Sequence, residues 1–311
     1  MGLSPRLRFK LEKLKTAVRS ALMSKEPSFD TSLRMCPSCR ALIDRNASKC
    51  PLCGVSLKSA RAREGTSSGS GRALGGLIPV PTTATSALVA ANIALYGITW
   101  YLTQEGASAA QPAPAMGGVD ATTLVRLGAL FAPLVYAGQW WRLVTAVFLH
   151  GGLLHIGFNL WCLFDLGPAV ESLFKTPKFI FMYLVTGVFG FMVSLWWRPG
   201  LTIGASGAIL GLIGVLISAS FHHGSIGREY RGQLWKWVMY IAVLGLLMPG
   251  TDNAAHAGGL VSGLLLGYVI PEGEPDSRAG ENLWNALAML AVLVIAGSFV
   301  LMALQMNASY S

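Results

Sequence analysis

Apolar runs close to twenty residues long recur along the chain, near residues 84–103, 150–170, 179–197, 203–220, 234–250, 254–270 and 284–304. Coiled as a helix, a run of that length matches the hydrocarbon thickness of a bilayer. Helices are required, because lipid cannot satisfy an open backbone. The pattern therefore predicts seven membrane-spanning helices. Two of them carry glycine at three- and four-residue steps: Gly204, Gly207, Gly211 and Gly214 in the fourth, Gly259, Gly263 and Gly267 in the sixth. Small residues along one face let two helix backbones approach closely. The fourth and sixth spans are expected to touch.

Composition supports this class. Of 311 residues, 53% are hydrophobic and 13% charged, against about 25% charged in soluble domains. The expected fold is an all-α polytopic membrane protein. Charge is unevenly placed: residues 1–80 hold fifteen Lys/Arg and five acids, and the remainder nine and ten, in keeping with the net charge of +9. A basic head before the first span predicts that the head stays in the cytoplasm. Counting onward puts Lys175, Lys178, Arg228, Arg231, Lys236 and Arg278 on that side, with Arg126, Arg142 and Arg198 outside. The head is read as insertion electrostatics and attraction to anionic lipid, ahead of nucleic-acid binding. The first apolar run starts too late for a signal peptide.

Within the head, "CPSCRALIDRNASKCPLCG" places Cys36, Cys39, Cys50 and Cys53 as two Cys-x-x-Cys knuckles. Four thiolates so spaced suit tetrahedral zinc. A cytoplasmic location argues against disulfides, and so short a segment builds no core without the metal. The stretch resembles the compact zinc ribbons appended to bacterial proteins. "ARAREGTSSGSGRALGG" after it reads as a flexible tether.

Polar groups inside spans are costly and need a reason. Ser206, His150, His155, Asn159 and His256 stand out. With the head inside, spans two, four and six all enter from the outer side. All three then carry polar groups at the same depth. His155 and Asn159, four apart, share a helix face. His150 and Asn159, nine apart, converge only if Gly151 and Gly152 let His150 fold back on a non-helical turn. Ser206 and His256 lie on the two glycine-lined helices. A serine nucleophile needs a base and donors where an oxyanion forms. His256 can be the base; His150, Asn159 and the Ser206 backbone N–H can be the donors. Asp252 reads as the N-cap of the sixth span, not as a third catalytic acid.

At this point the chain resembles the rhomboid intramembrane serine proteases over about residues 85–270. The likeness rests on "QWWRLVTAVFLHGGLLHIGFNLWCLFDLGPAVE", "GASGA" and "AHAGGLVSG". It implies Ser206 as nucleophile, His256 as base without a third acid, and His150 and Asn159 at the oxyanion site. It also implies a Trp141–Arg142 loop lying flat in the outer leaflet, and no metal for cleavage. His155, Gly204, Gly207, Gly259 and Gly263 are expected to be structural. Where many rhomboids have an aromatic residue four positions after the nucleophile, this chain has Leu210.

The expected layout is a basic segment with a cytoplasmic zinc ribbon in 1–60 (core 34–57) and a linker in 61–83. A six-helix rhomboid protease domain follows in 84–270, with a linker and seventh transmembrane helix in 271–311. The expected function is cleavage of single-span membrane proteins near the outer face of a bacterial inner membrane. Two other classes compete: a non-enzymatic rhomboid-like binder, expected to lack Ser or His of the pair, and a transporter, for which neither paired intramembrane charges nor an inverted repeat are present.

Overall fold

The computed structural model describes residues 33–35, 42–44, 82–108, 114–115, 117–197, 199–248 and 250–308. The chain divides into two compact units, Met1–Gly71 and Arg72–Ser311. In the first, β1 (Leu33–Met35) pairs antiparallel with β2 (Leu42–Asp44), Leu33 facing Asp44 and Met35 facing Leu42. Cys36, Cys39, Cys50 and Cys53 lie outside the described residues.

The second unit is helical. It begins with α1 (Thr83–Glu105), followed by short elements in the first long connection: α2 (Ala121–Arg126), β3 (Leu130–Phe131), α3 (Ala132–Tyr136) and α4 (Arg142–Thr145). The long helices α5 (Leu153–Phe174) and α6 (Thr176–Trp197) come next. A short strand β4 (Leu201–Thr202) then pairs with β3. It leads into α7 (Ser206–Ala219), α8 (Gly224–Leu247), α9 (Asn253–Val269) and α10 (Arg278–Ala308).

The seven expected helical runs all appear among the described residues. Five are long and apolar enough to cross a membrane: α1, α5, α6, α10, and α7 with its 3₁₀ extension to His223. The expected count of seven spans is not reached on that measure. The 17 residues of α9 reach only about 26 Å at 1.5 Å per residue, and α8 carries Arg228, Glu229, Arg231 and Lys236.

The core lies between α6, α7 and α9, and backbone contact makes it. A Cβ on Gly259 would collide with the Gly207 carbonyl, and one on Gly263 with the Gly211 carbonyl. A Cβ on Gly214 would stand 2.5 Å from the Leu260 carbonyl. The expected meeting of the two glycine seams is therefore observed, as α7 against α9. Buried Leu212, Ile213 and Val215 fill the rest of α7.

Two buried charges fix the helix ends. Glu171 of α5 accepts from the Ala84 and Thr85 amides at 3.1 and 3.0 Å. It also accepts from Thr176 at 2.7 Å and from the Thr82 hydroxyl. A carboxylate so placed caps α1 and complements its dipole. Lys178 of α6 donates to the Pro271 and Gly273 carbonyls at 2.7 and 2.9 Å, which closes the C-terminal end of α9. Outside this core, α10 packs on α4 and α6, with Phe299 edge-on to Phe148 at 5.8 Å between centroids. Helix α8 is the least embedded: of its described side chains, Leu234 alone among the large ones is buried.

Candidate active site

Ser206 is the first residue of α7, and His256 lies in the first turn of α9. The glycine seam brings these two helix starts together. The Ser206 hydroxyl is hydrogen-bonded to His256 Nε2 at 2.8 Å. If Oγ–H donates to Nε2, the neutral ring carries its proton on Nδ1. Nδ1 is buried and has no hydrogen-bond partner among the described residues. Asp252 is engaged elsewhere: Oδ1 accepts from the Ala255 amide at 2.9 Å, and Oδ2 from the Thr202 hydroxyl at 2.9 Å and from Ser194. It is the N-cap of α9, as expected, and not a third member of the pair.

The donors come from α5. The Gly151 amide donates to His155 Nδ1 at 3.4 Å, which leaves Nε2 as the ring N–H. Asn159 Nδ2 donates one hydrogen to the His155 carbonyl at 3.1 Å and keeps the other. Both side chains face Gly204, two residues before Ser206. A Cβ there would stand 2.6 Å from His155 Nε2 and 3.8 Å from Asn159 Nδ2. Gly204 also has φ +119°, a conformation that favours glycine. Ser206 opens α7, so its backbone N–H has no carbonyl four residues back within the helix.

His150 departs from expectation. It is fully buried and does not line the cavity around Ser206, whereas His155 and Asn159 do. Its ring stands edge-on to His155, 5.0 Å between centroids. The physical reason is where α5 starts. The Gly151–Gly152 turn precedes the first helical residue, Leu153, and leaves the His150 ring packed against His155. The α5 side chains that line the cavity with Ser206 are thus His155 and Asn159. The four-residue spacing within "HIGFN" was the signal for them.

The other expected site residues have structural surroundings. Arg142 is buried and donates to the Val125 and Ala129 carbonyls at 2.7 and 2.9 Å and to Gln139 at 2.7 Å. It fastens the first connection internally. Trp141 is the half-buried residue before α4. A further glycine, Gly190 of α6, carries no sequence signal: a Cβ there would stand 2.6 Å from the Ala255 carbonyl, beside His256. Among the described residues, no three His, Cys, Asp or Glu side chains are placed to hold a metal.

Ser206, His256, His155 and Asn159 share a cavity of about 1170 Å³. It continues between α5 and α8, past Phe158 and Trp161 on one wall and Trp237, Tyr240 and Leu244 on the other. Trp161 and Trp237 meet edge to face at 5.6 Å and 78°.

Comparison with known proteins identifies the family. Residues 137–272, which contain α4 through α9, match the Rhomboid domain. The rhomboid relative YdcA of Bacillus subtilis is 32% identical over 135 residues, covering 42% of this chain and 68% of the relative. The chain belongs to the rhomboid family. Rhomboid protease GluP of Bacillus subtilis is 32% identical over 180 residues, 57% of this chain and 35% of the relative. RHOMBOID-like protein 6, mitochondrial, of Arabidopsis thaliana is 32% identical over 201 residues, 58% of this chain and 65% of the relative. The chain thus spans between a third and two thirds of the length of these last two rhomboid proteins. With several apolar helices and this membership, the protein is an integral membrane protein.

Proposed function

We propose that this rhomboid is an intramembrane serine endopeptidase that cuts single-span membrane proteins in or beside their transmembrane segments. The observation that carries the reading is the 2.8 Å contact between Ser206 Oγ and His256 Nε2 at the cavity wall. In the proposed reaction Oγ attacks the scissile carbonyl as its proton passes to Nε2. The carbonyl oxygen becomes an oxyanion facing His155 Nε2–H, the second Asn159 Nδ2–H and the Ser206 amide, a donor set of the kind that stabilises such charge. The imidazolium then protonates the leaving amine, and a water repeats the cycle on the acyl-enzyme. The apolar groove between α5 and α8 suits an apolar segment, which must unwind locally because a hydrogen-bonded helix hides its carbonyls. From the positive-inside count, the site faces the outer side of the membrane and the N-terminus the cytoplasm. At that N-terminus we propose one structural zinc on Cys36, Cys39, Cys50 and Cys53, with no part in cleavage.

The test is reconstitution of purified protein with a panel of single-span substrates, beside Ser206→Ala and His256→Ala. Both variants are expected to lose cleavage, and a fluorophosphonate probe to label wild type at Ser206 alone. Full cleavage by Ser206→Ala refutes the assignment. Substrate capture without cleavage by wild type would instead indicate a non-enzymatic binder.

A further inference from the structure

The loop that delivers Ser206 is held at three points. Strand β4 pairs with β3, Thr202 facing Leu130. The Gly204 amide donates to the Ala146 carbonyl at 2.9 Å. The Thr202 hydroxyl donates to Asp252 Oδ2 at 2.9 Å. The first two tie the loop to the connection that precedes α5. Only the third ties it to α9, the helix that carries His256. The same carboxylate oxygen accepts from Ser194 near the end of α6, while Oδ1 caps α9 through Ala255. The Asp252 carbonyl in turn accepts from the His256 amide at 3.1 Å.

We infer that Asp252 is a positioning residue for the proposed Ser206–His256 pair, acting as a clasp that sets the nucleophile loop against the start of α9. The inference rests on the proposed serine protease reading. The chemistry of the clasp is specific. A carboxylate has acceptor sites for the cap and for both hydroxyls at once. A serine at the same position still caps the helix, but it is too short to reach Thr202 and Ser194 as well. An asparagine keeps an acceptor for the cap and an amide that donates to the hydroxyls instead. The seam fixes how close the α7 and α9 backbones come. The clasp fixes how far along that seam the serine stands from the imidazole. Thr202 and Asp252 line the cavity together with Ser206, apart from the walls that α5 and α8 supply for the proposed apolar segment, so the effect belongs chiefly in turnover.

The experiment compares wild type, Asp252→Ser, Asp252→Asn, Thr202→Val and Ser206→Ala in the same lipid. It reads kcat and KM on a single-span substrate, and amide exchange of residues 200–206. Asp252→Ser and Thr202→Val are expected to lower kcat about tenfold, in line with the cost of a sub-ångström misplacement, with KM within about twofold. Exchange in 200–206 should quicken in both. Asp252→Asn is expected to restore most of the turnover. Wild-type kcat in Asp252→Ser, or a loss that Asp252→Asn shares in full with loop exchange unaltered, overturns the clasp. Full cleavage by Ser206→Ala would overturn the protease assignment instead. The exchange measurement reads the clasp without reference to cleavage.

Discussion

Gly190→Ala tests how tightly α6 sets the position of the histidine. The added Cβ would stand 2.6 Å from the Ala255 carbonyl, whereas ordinary contact begins near 3.4 Å, so the helices must part by about 0.8 Å. The obstacle is backbone, which has no rotamer to change. Helix α9 cannot yield into α7, because the two backbones are already pressed together there: a Cβ on Gly259 would collide with the Gly207 carbonyl. The first turn of α9 must lift instead, taking His256 with it. A displacement of that size stretches the 2.8 Å contact with Ser206 to about 3.6 Å, beyond the range of a useful hydrogen bond. Misplacements near 1 Å cost on the order of 10²-fold in rate, about 2.7 kcal/mol at 1.36 kcal/mol per decade. Gly190 does not line the cavity, so KM should hold. The assay is substrate cleavage in detergent or liposomes, with fluorophosphonate labelling as a second measure of Ser206 reactivity. Gly97→Ala is the control, since a Cβ there meets nothing within 4 Å. Wild-type turnover in Gly190→Ala would show that α6 does not position the base.

Further outcomes are expected at four other places. His155→Ala and Asn159→Ala should each cut kcat by about 10²–10³-fold, the usual cost of an oxyanion donor. His150→Ala should chiefly lower the melting temperature, because its buried ring braces His155; the reverse pattern in cleavage kinetics and melting would restore His150 to the oxyanion site. Metal analysis of the purified chain should give about one zinc, lost when Cys36 and Cys39 become Ser, while a chain lacking residues 1–60 should still cleave a substrate in detergent. Asp120 caps α2 through the Thr123 amide at 2.9 Å and accepts from Thr103 at 3.0 Å. Its burial opposes ionisation, but these hydrogen bonds outweigh it and hold the carboxyl below its ordinary value. That contribution is present above the unfolded pKa of about 3.9 and is lost as pH falls through the lower folded value. Amide exchange in 120–126 should therefore quicken on acidification, and in Asp120→Ala it should be fast at every pH.

Much of this arrangement is legible in the residues, because the deciding signals are periodic. The glycine steps of the fourth and sixth runs announce a backbone contact, and the contact sets Ser206 beside His256. Asp252 reads correctly as a cap. What the pattern leaves open is where a helix begins. A start at 150 or at 153 is equally apolar. Either start leaves His155 on the face of Asn159; what spacing does not tell is where the Gly151–Gly152 turn carries His150. Hydrophobicity gives no hint of the short elements α2 to α4, nor of Arg142 bonded to carbonyls inside that connection. Gly190 escapes notice because its partner is a carbonyl on another helix, which no one-dimensional spacing encodes. The charge on α8 and the brevity of α9 likewise separate helices that form from helices that satisfy the length and polarity of a span.

The seam between α7 and α9 has a consequence for redesign. Backbone pressed on backbone leaves nothing there to tune, since any side chain larger than hydrogen changes the spacing of Ser206 and His256. The opposite wall of the cavity is of another kind: α8 lines it with the side chains of Trp237, Tyr240 and Leu244, which can be exchanged one at a time. An engineer seeking a new substrate range would treat the molecule as a fixed anvil with a replaceable jaw. Libraries should vary the inward positions of α8 and leave every glycine of the seam untouched.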